Sequence, residues 1–152
     1  MKRAICHEAG HALTALYLGF YVQKIAVCKG LLITWVDLDS PQKSLHERCI
    51  VLAGGIAAEQ FLYKDKEYDR EAARDDQRKI SERGGGRIET YVQAAIDIIR
   101  SNESPFGELQ ERLRCRWAVE RAEAQWESDP DSFEVLSGQE IKKIWGTPEN
   151  NV

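Results

Sequence analysis

The sequence predicts a mainly α-helical protein with a small β-hairpin, an α+β fold in which a histidine-bearing helix is followed by a helical bundle. Three observations carry that prediction. Apolar residues recur at helical spacing through residues 2–18, 41–63, 88–100 and 106–127. Two β-rich runs, residues 21–28 and 31–38, flank a Lys29-Gly30 turn. A chain of 152 residues has enough length for one core and too little for two full domains. The expected organisation is one domain over residues 1–146 and a frayed tail over residues 147–152.

Composition narrows the function classes. The chain is 43% apolar and 30% charged, the balance of a soluble globular protein. Its net charge of −4 gives no reason to expect a nucleic-acid partner. No apolar run approaches the roughly 20 residues that span a bilayer. Lys2-Arg3 leads straight into a histidine motif, so no signal peptide is expected. The four cysteines, Cys6, Cys28, Cys49 and Cys115, form no C-x-x-C pair and read as free thiols, which points to a cytoplasmic setting.

The first helix runs from Lys2 to about Leu18, with Ile5, Ala9, Ala12, Leu13, Leu16 and Tyr17 as its apolar stripe and Gly19 as its stop. It carries Cys6-His7-Glu8-Ala9-Gly10-His11, which contains H-E-x-x-H. Residues four apart share one helix face, so His7 and His11 can bind one zinc ion while Glu8 reaches a water activated by it. The competing reading is a surface helix with two chance histidines. Histidine is scarce here, His46 being the only other one, which weighs against chance. Cys6 abuts the motif, but a turn of about 100° per residue aims it away from the His7/His11 face.

Residues 21–28 and 31–38 form the predicted antiparallel hairpin. Beside a metal cleft, such a strand can hold an extended peptide by β-augmentation, or it can simply cover the core. Asp37 and Asp39 near its end read as solvated. Ser40-Pro41 then opens a second helix that runs to about Tyr63, rich in buried residues from Ile50 to Leu62. Gly54-Gly55 in mid-helix costs about 1 kcal/mol per glycine, so another helix, most simply the first, should pack closely there. Glu59 in this apolar stretch can orient a ligand histidine or act as a ligand itself.

The charged stretch 64–70 reads as a linker, and residues 71–81 as a polar helix on which Asp75 and Asp76 are, by composition, solvated. Gly84-Gly85-Gly86 marks a loop or hinge, without the context of a phosphate loop. An amphipathic helix follows over 88–100. After Ser104-Pro105 comes a long helix from about Phe106 to Glu127, with Leu109, Leu113, Trp117, Val119 and Ala122 as its core stripe. Asp129-Pro130 breaks it, and Ser137-Gly-Gln-Glu140 is a capping box that opens a last helix through Ile141, Ile144 and Trp145.

Four blocks in this order resemble the peptidase domain of the FtsH-type ATP-dependent zinc metalloproteases. His7-Glu-Ala-Gly-His-Ala-Leu13 is similar to that family's zincin-like form of H-E-x-x-H. Leu52-Ala-Gly-Gly-Ile-Ala-Ala-Glu59 resembles its L-x-G-G-R-A-A-E helix, Ala73-Arg-Asp-Asp76-Gln-Arg-Lys-Ile-Ser81 its A-x-[ND]-D-L-x-x-A-T segment, and Phe133-Glu-Val-Leu-Ser-Gly-Gln-Glu-Ile141 its closing E-T-L-x-G-x-E-I. The resemblance implies Asp76 as the third zinc ligand, with Asp75 on the Asn-or-Asp position before it and Glu59 as a neighbour of the site and fallback ligand. It also implies a polypeptide substrate.

The departures from the family are specific. Gln77 replaces an apolar residue, Ile56 replaces an arginine, and the region after Ser81 is short. No Walker motif or apolar anchor is present, so a separate ATPase chain would have to deliver folded substrates. The expected function is that of a stand-alone zinc metalloendopeptidase acting on unfolded or flexible proteins, with Zn²⁺ on His7, His11 and Asp76 and Glu8 as the catalytic base. The alternatives are a metal-stabilised binding or adaptor domain of the same fold and a helical interaction protein without metal.

Overall fold

The computed structural model describes residues 2–64, 70–124 and 132–146. Its first helix, α1 (Lys2–Tyr17), follows the apolar stripe and stops where Gly19 takes a left-handed φ of +78°. There the Phe20 N–H bonds the Ala15 carbonyl at 2.8 Å and the Gly19 N–H bonds that of Leu16 at 3.1 Å, a paired closure that favours glycine at this position.

Strands β1 (Tyr21–Cys28) and β2 (Leu31–Asp37) form the expected hairpin. Lys29 and Gly30 both have positive φ, 51° and 80°, which matches the turn to the right-handed twist of the strands. The hairpin is only part of a sheet. A further strand, β3 (Phe133–Ser137), pairs antiparallel with β1, with Ile25 opposite Leu136, and the order is β2-β1-β3. The five residues of β3 are too few to show a period, and their partner lies near the other end of the chain. With β1 central, β2 is an edge strand among the described residues.

Helix α2 (Leu45–Tyr63) begins later than Ser40-Pro41 suggests. Ser44 is its cap: the Ser44 hydroxyl accepts from the Glu47 N–H and the Glu47 carboxylate accepts from the Ser44 N–H, both at 3.1 Å. This reciprocal cap satisfies two exposed donors and outcompetes a proline start, so residues 41–42 form a turn instead. As expected, α1 crosses α2 at the glycines. A β-carbon on Gly54 would stand 2.5 Å from Thr14 Oγ1 and 2.7 Å from the Gly10 carbonyl oxygen. Only bare backbone fits on both sides of this crossing.

Helix α3 (Arg70–Glu82) buries just Ala73, Asp76 and Ile80 among its described side chains. Helices α4 (Ile88–Ser101), α5 (Glu103–Ala124) and α6 (Gly138–Trp145) complete the described helices. The Ser137–Glu140 capping box opens α6 as the sequence indicates. Phe106, Leu109, Leu113 and Trp117 line the buried face of α5, while Val119 is 51% exposed and leaves the expected stripe, two residues past Trp117 and so on the opposite face. Leu13, Ile25, Val51, Ile99, Leu109, Leu113, Leu136 and Ile141 belong to one continuous core between α1, α2, the sheet and the C-terminal helices. No described helix is long and apolar enough to cross a membrane. Most of the linker, the Asp129-Pro130 break, the expected end of α5 at Glu127 and the tail 147–152 lie outside the described residues.

Candidate metal centre

Helix α1 sets His7 and His11 one turn apart, with their Nε2 atoms separated by 3.1 Å. The rings meet edge to face, 74° between planes. Helix α3 packs on α2 and brings a third group to the pair. Asp76 Oδ2 lies 3.0 Å from His7 Nε2 and 3.3 Å from His11 Nε2. Three donors held about 2.0–2.2 Å from a tetrahedral zinc ion would be roughly 3.3–3.5 Å from one another. The observed triangle of 3.0, 3.1 and 3.3 Å is close to that figure. Asp76 Oδ2 is also buried and has no hydrogen-bond partner of acceptable angle among the described residues. An orphaned carboxylate oxygen so close to two nitrogens is misaligned for hydrogen bonding, as expected where three lone pairs converge on a shared point. The donor set, two imidazoles and one carboxylate, suits a divalent ion such as zinc.

The far sides of both rings face α2. His11 Nδ1 lies 2.8 Å from the Val51 carbonyl, which can only accept, so Nδ1 carries a proton and the Nε2 lone pair faces the centre once Nε2 gives up its own proton, as metal binding requires. Glu59, 1% exposed, lies with Oε1 3.8 Å from His7 Nδ1 and favours the same tautomer there. Glu59 is therefore on the Nδ1 side of His7, away from the nitrogen that faces Asp76. Gly55 gives the imidazole of His7 its space, since any β-carbon at residue 55 would overlap the ring.

Charge in the metal-free site is shared between Asp76 and His11. Burial alone would pull the His11 imidazole down, but the Asp76 carboxylate overrides it and holds the ring up to about 9. Burial likewise opposes ionisation of Asp76, and the two histidines more than offset it, keeping its carboxyl well below the usual range. Cys6 is pushed up to about 12 by burial and then by Glu59, so its thiol stays protonated in the metal-free protein. Asp75 points outward, where its carboxylate pairs with Arg78 at 2.5 Å and Lys79 at 3.1 Å.

Glu8 stands beside the centre. Ligand atoms of His7, Glu8 and His11 all lie within 4.8 Å of one another, a group able to hold a metal ion. The Glu8 carboxylate also reaches across to the sheet, where Oε2 accepts the Thr34 N–H at 2.7 Å. A cavity of about 860 Å³ opens here, with His7, Glu8, His11 and Asp76 on one side and β2 from Leu31 to Val36 on the other.

Sequence reasoning places His7, Glu8, His11, Glu59 and Asp76 in or beside this site, and the fold brings all five together. It does not find the Val51 carbonyl or Thr34. Both act largely through backbone atoms, which leave no residue-type signal. The role of Gly55 is legible as a close approach, but the group that approaches it is His7 itself. No family model matches the chain, and no curated protein matches it in sequence.

Proposed function

We propose that this protein is a zinc-dependent metalloendopeptidase with a zincin-like site of the FtsH peptidase type. The observation that carries the reading is the triangle of His7 Nε2, His11 Nε2 and Asp76 Oδ2, with its buried carboxylate oxygen that no well-aligned hydrogen bond satisfies among the described residues. In it, His7, His11 and Asp76 hold the ion as three protein ligands, the number that keeps a fourth position open for chemistry. Bound zinc would supply Lewis acidity, lowering the pKa of a water towards about 7 and polarising the scissile carbonyl.

The chain's own residues do the rest. The Glu8 carboxylate takes the proton of the attacking water and hands it to the leaving amine. The Val51 carbonyl fixes the His11 imidazole by its Nδ1 side, and the buried Glu59 carboxylate, 3.8 Å from His7 Nδ1, favours a proton on that nitrogen. The cavity lies beside the edge strand β2, whose outward backbone groups other than the Thr34 N–H can receive an extended polypeptide. Accordingly the substrate class is unfolded or flexible protein, and folded substrates would need a separate ATPase chain.

Hydrolysis of casein and of unstructured peptides by zinc-loaded protein tests the proposal directly. Wild-type protein should cleave, and Glu8→Gln should keep its zinc while losing at least about a hundredfold in rate. A wild-type protein that binds the metal and cleaves nothing would sink the peptidase reading and leave a metal-stabilised binding domain in its place.

A further inference from the structure

We infer that Thr34 is a positioning residue for Glu8, holding one carboxylate oxygen so that the other stays free beside the His7–His11–Asp76 centre. The role given to Glu8 rests on the peptidase reading; the hold itself does not.

Thr34 sits in the middle of β2, opposite Ile25. Its N–H is directed at Glu8 Oε2, 2.7 Å away, and so points away from β1. In an antiparallel ladder successive residues face opposite ways, so Ile33 and Trp35 turn their backbone groups towards Ala26 and Lys24. The Thr34 N–H is thus an edge donor that the sheet does not use. An edge donor is normally hydrated or recruits another strand. Here it takes the carboxylate of a helix that packs beside the strand, in a short, charge-assisted bond.

A second tie runs the other way. Thr34 Oγ1 donates to the backbone carbonyl of Glu8 at 3.0 Å. That carbonyl lies inside α1, where the helix ladder already supplies a donor. The fold does not need the additional bond, yet both polar groups of Thr34 that could reach Glu8 do so. Glutamate has three side-chain torsions to lose on being fixed. With Oε2 anchored at the strand and the backbone anchored by the hydroxyl, the remaining freedom of Glu8 is small, as a general base needs within hydrogen-bond reach of its proton.

The test has two arms, the first without metal or substrate. In isotopically labelled metal-free protein, Glu8→Ala should speed amide exchange at Thr34 by at least about tenfold, leaving Ile33 and Trp35 unchanged. An unchanged Thr34 amide would overturn the proposal, and so would equal acceleration at all three, which would mean general loosening. In zinc-loaded protein, Thr34→Pro, which removes this N–H but no bond to β1, should lower kcat by about tenfold with KM and zinc content unchanged, while Thr34→Val, which keeps the N–H, should retain most of the activity. A Thr34→Pro kcat equal to wild type would overturn the proposal. If wild-type protein cleaves nothing while the Thr34 amide still loses protection in Glu8→Ala, the peptidase reading fails and the hold on Glu8 stands.

Discussion

Gly55 and His7 are packed so closely that no side chain fits between them. A β-carbon at residue 55 would overlap Nε2, Cδ2 and Cε1 of the imidazole, the part of the ring that faces the candidate metal position. The glycine that costs α2 some helix propensity thus makes room for a candidate ligand on α1.

Gly55→Ala should therefore displace His7, lower zinc affinity by at least about tenfold, and destabilise the metal-free protein by about 1–3 kcal/mol through overpacking. Gly86→Ala, where a β-carbon meets nothing within 4 Å, is the control and should leave zinc affinity unchanged. Zinc competition titrations and thermal unfolding read both effects.

Glu59→Gln should weaken zinc binding about 10- to 100-fold while keeping one site per chain, because its carboxylate, 3.8 Å from His7 Nδ1, favours the tautomer that leaves Nε2 free. Loss of stoichiometric binding at saturating zinc would mean instead that Glu59 is itself a ligand.

The metal-free protein should lose stability as the solution becomes alkaline. His11 titrates at about 9 in the fold against an ordinary 6.5, so its contribution is complete below 6.5 and disappears as the pH rises through about 9. Asp76 has the opposite sign: its carboxyl is depressed from 3.8, so its contribution holds above that value and is lost on acidification. Thermal midpoints of metal-free protein should fall between pH 6.5 and 9, and Asp76→Asn should flatten that slope.

Gly107 is a helix glycine of another kind. It is exposed on α5, and a β-carbon added there would meet nothing within 4 Å. Gly107→Ala should raise stability by about 0.5–1 kcal/mol in thermal unfolding, with no change in zinc affinity.

What the sequence makes legible follows physical range. The α1 stripe, the Lys29-Gly30 turn and the Ser137–Glu140 box are settled by neighbours within a few residues, and each can be read from the chain alone. Strand β3 depends on β1 across most of the chain, and the start of α2 on a competition between Pro41 and the Ser44 cap; neither is legible locally. In the site, the spacing of His7 and His11 announces a face of α1. Asp76 is different: on a polar helix beside Asp75 it looks solvated, and family resemblance alone singles it out. In the fold it is 5% exposed and faces the histidines, while Asp75 pairs with Arg78 and Lys79. The tie between Thr34 and Glu8 has no sequence signal, because any residue but proline supplies an N–H.

The most direct test of the central claim is the metal content of purified protein, measured per chain for wild type, Asp75→Ala and Asp76→Ala. The geometry of the His7, His11 and Asp76 triangle leads to one zinc in wild type and in Asp75→Ala, and to its loss in Asp76→Ala. No metal in wild type after exposure to zinc, or loss in Asp75→Ala with retention in Asp76→Ala, would contradict it.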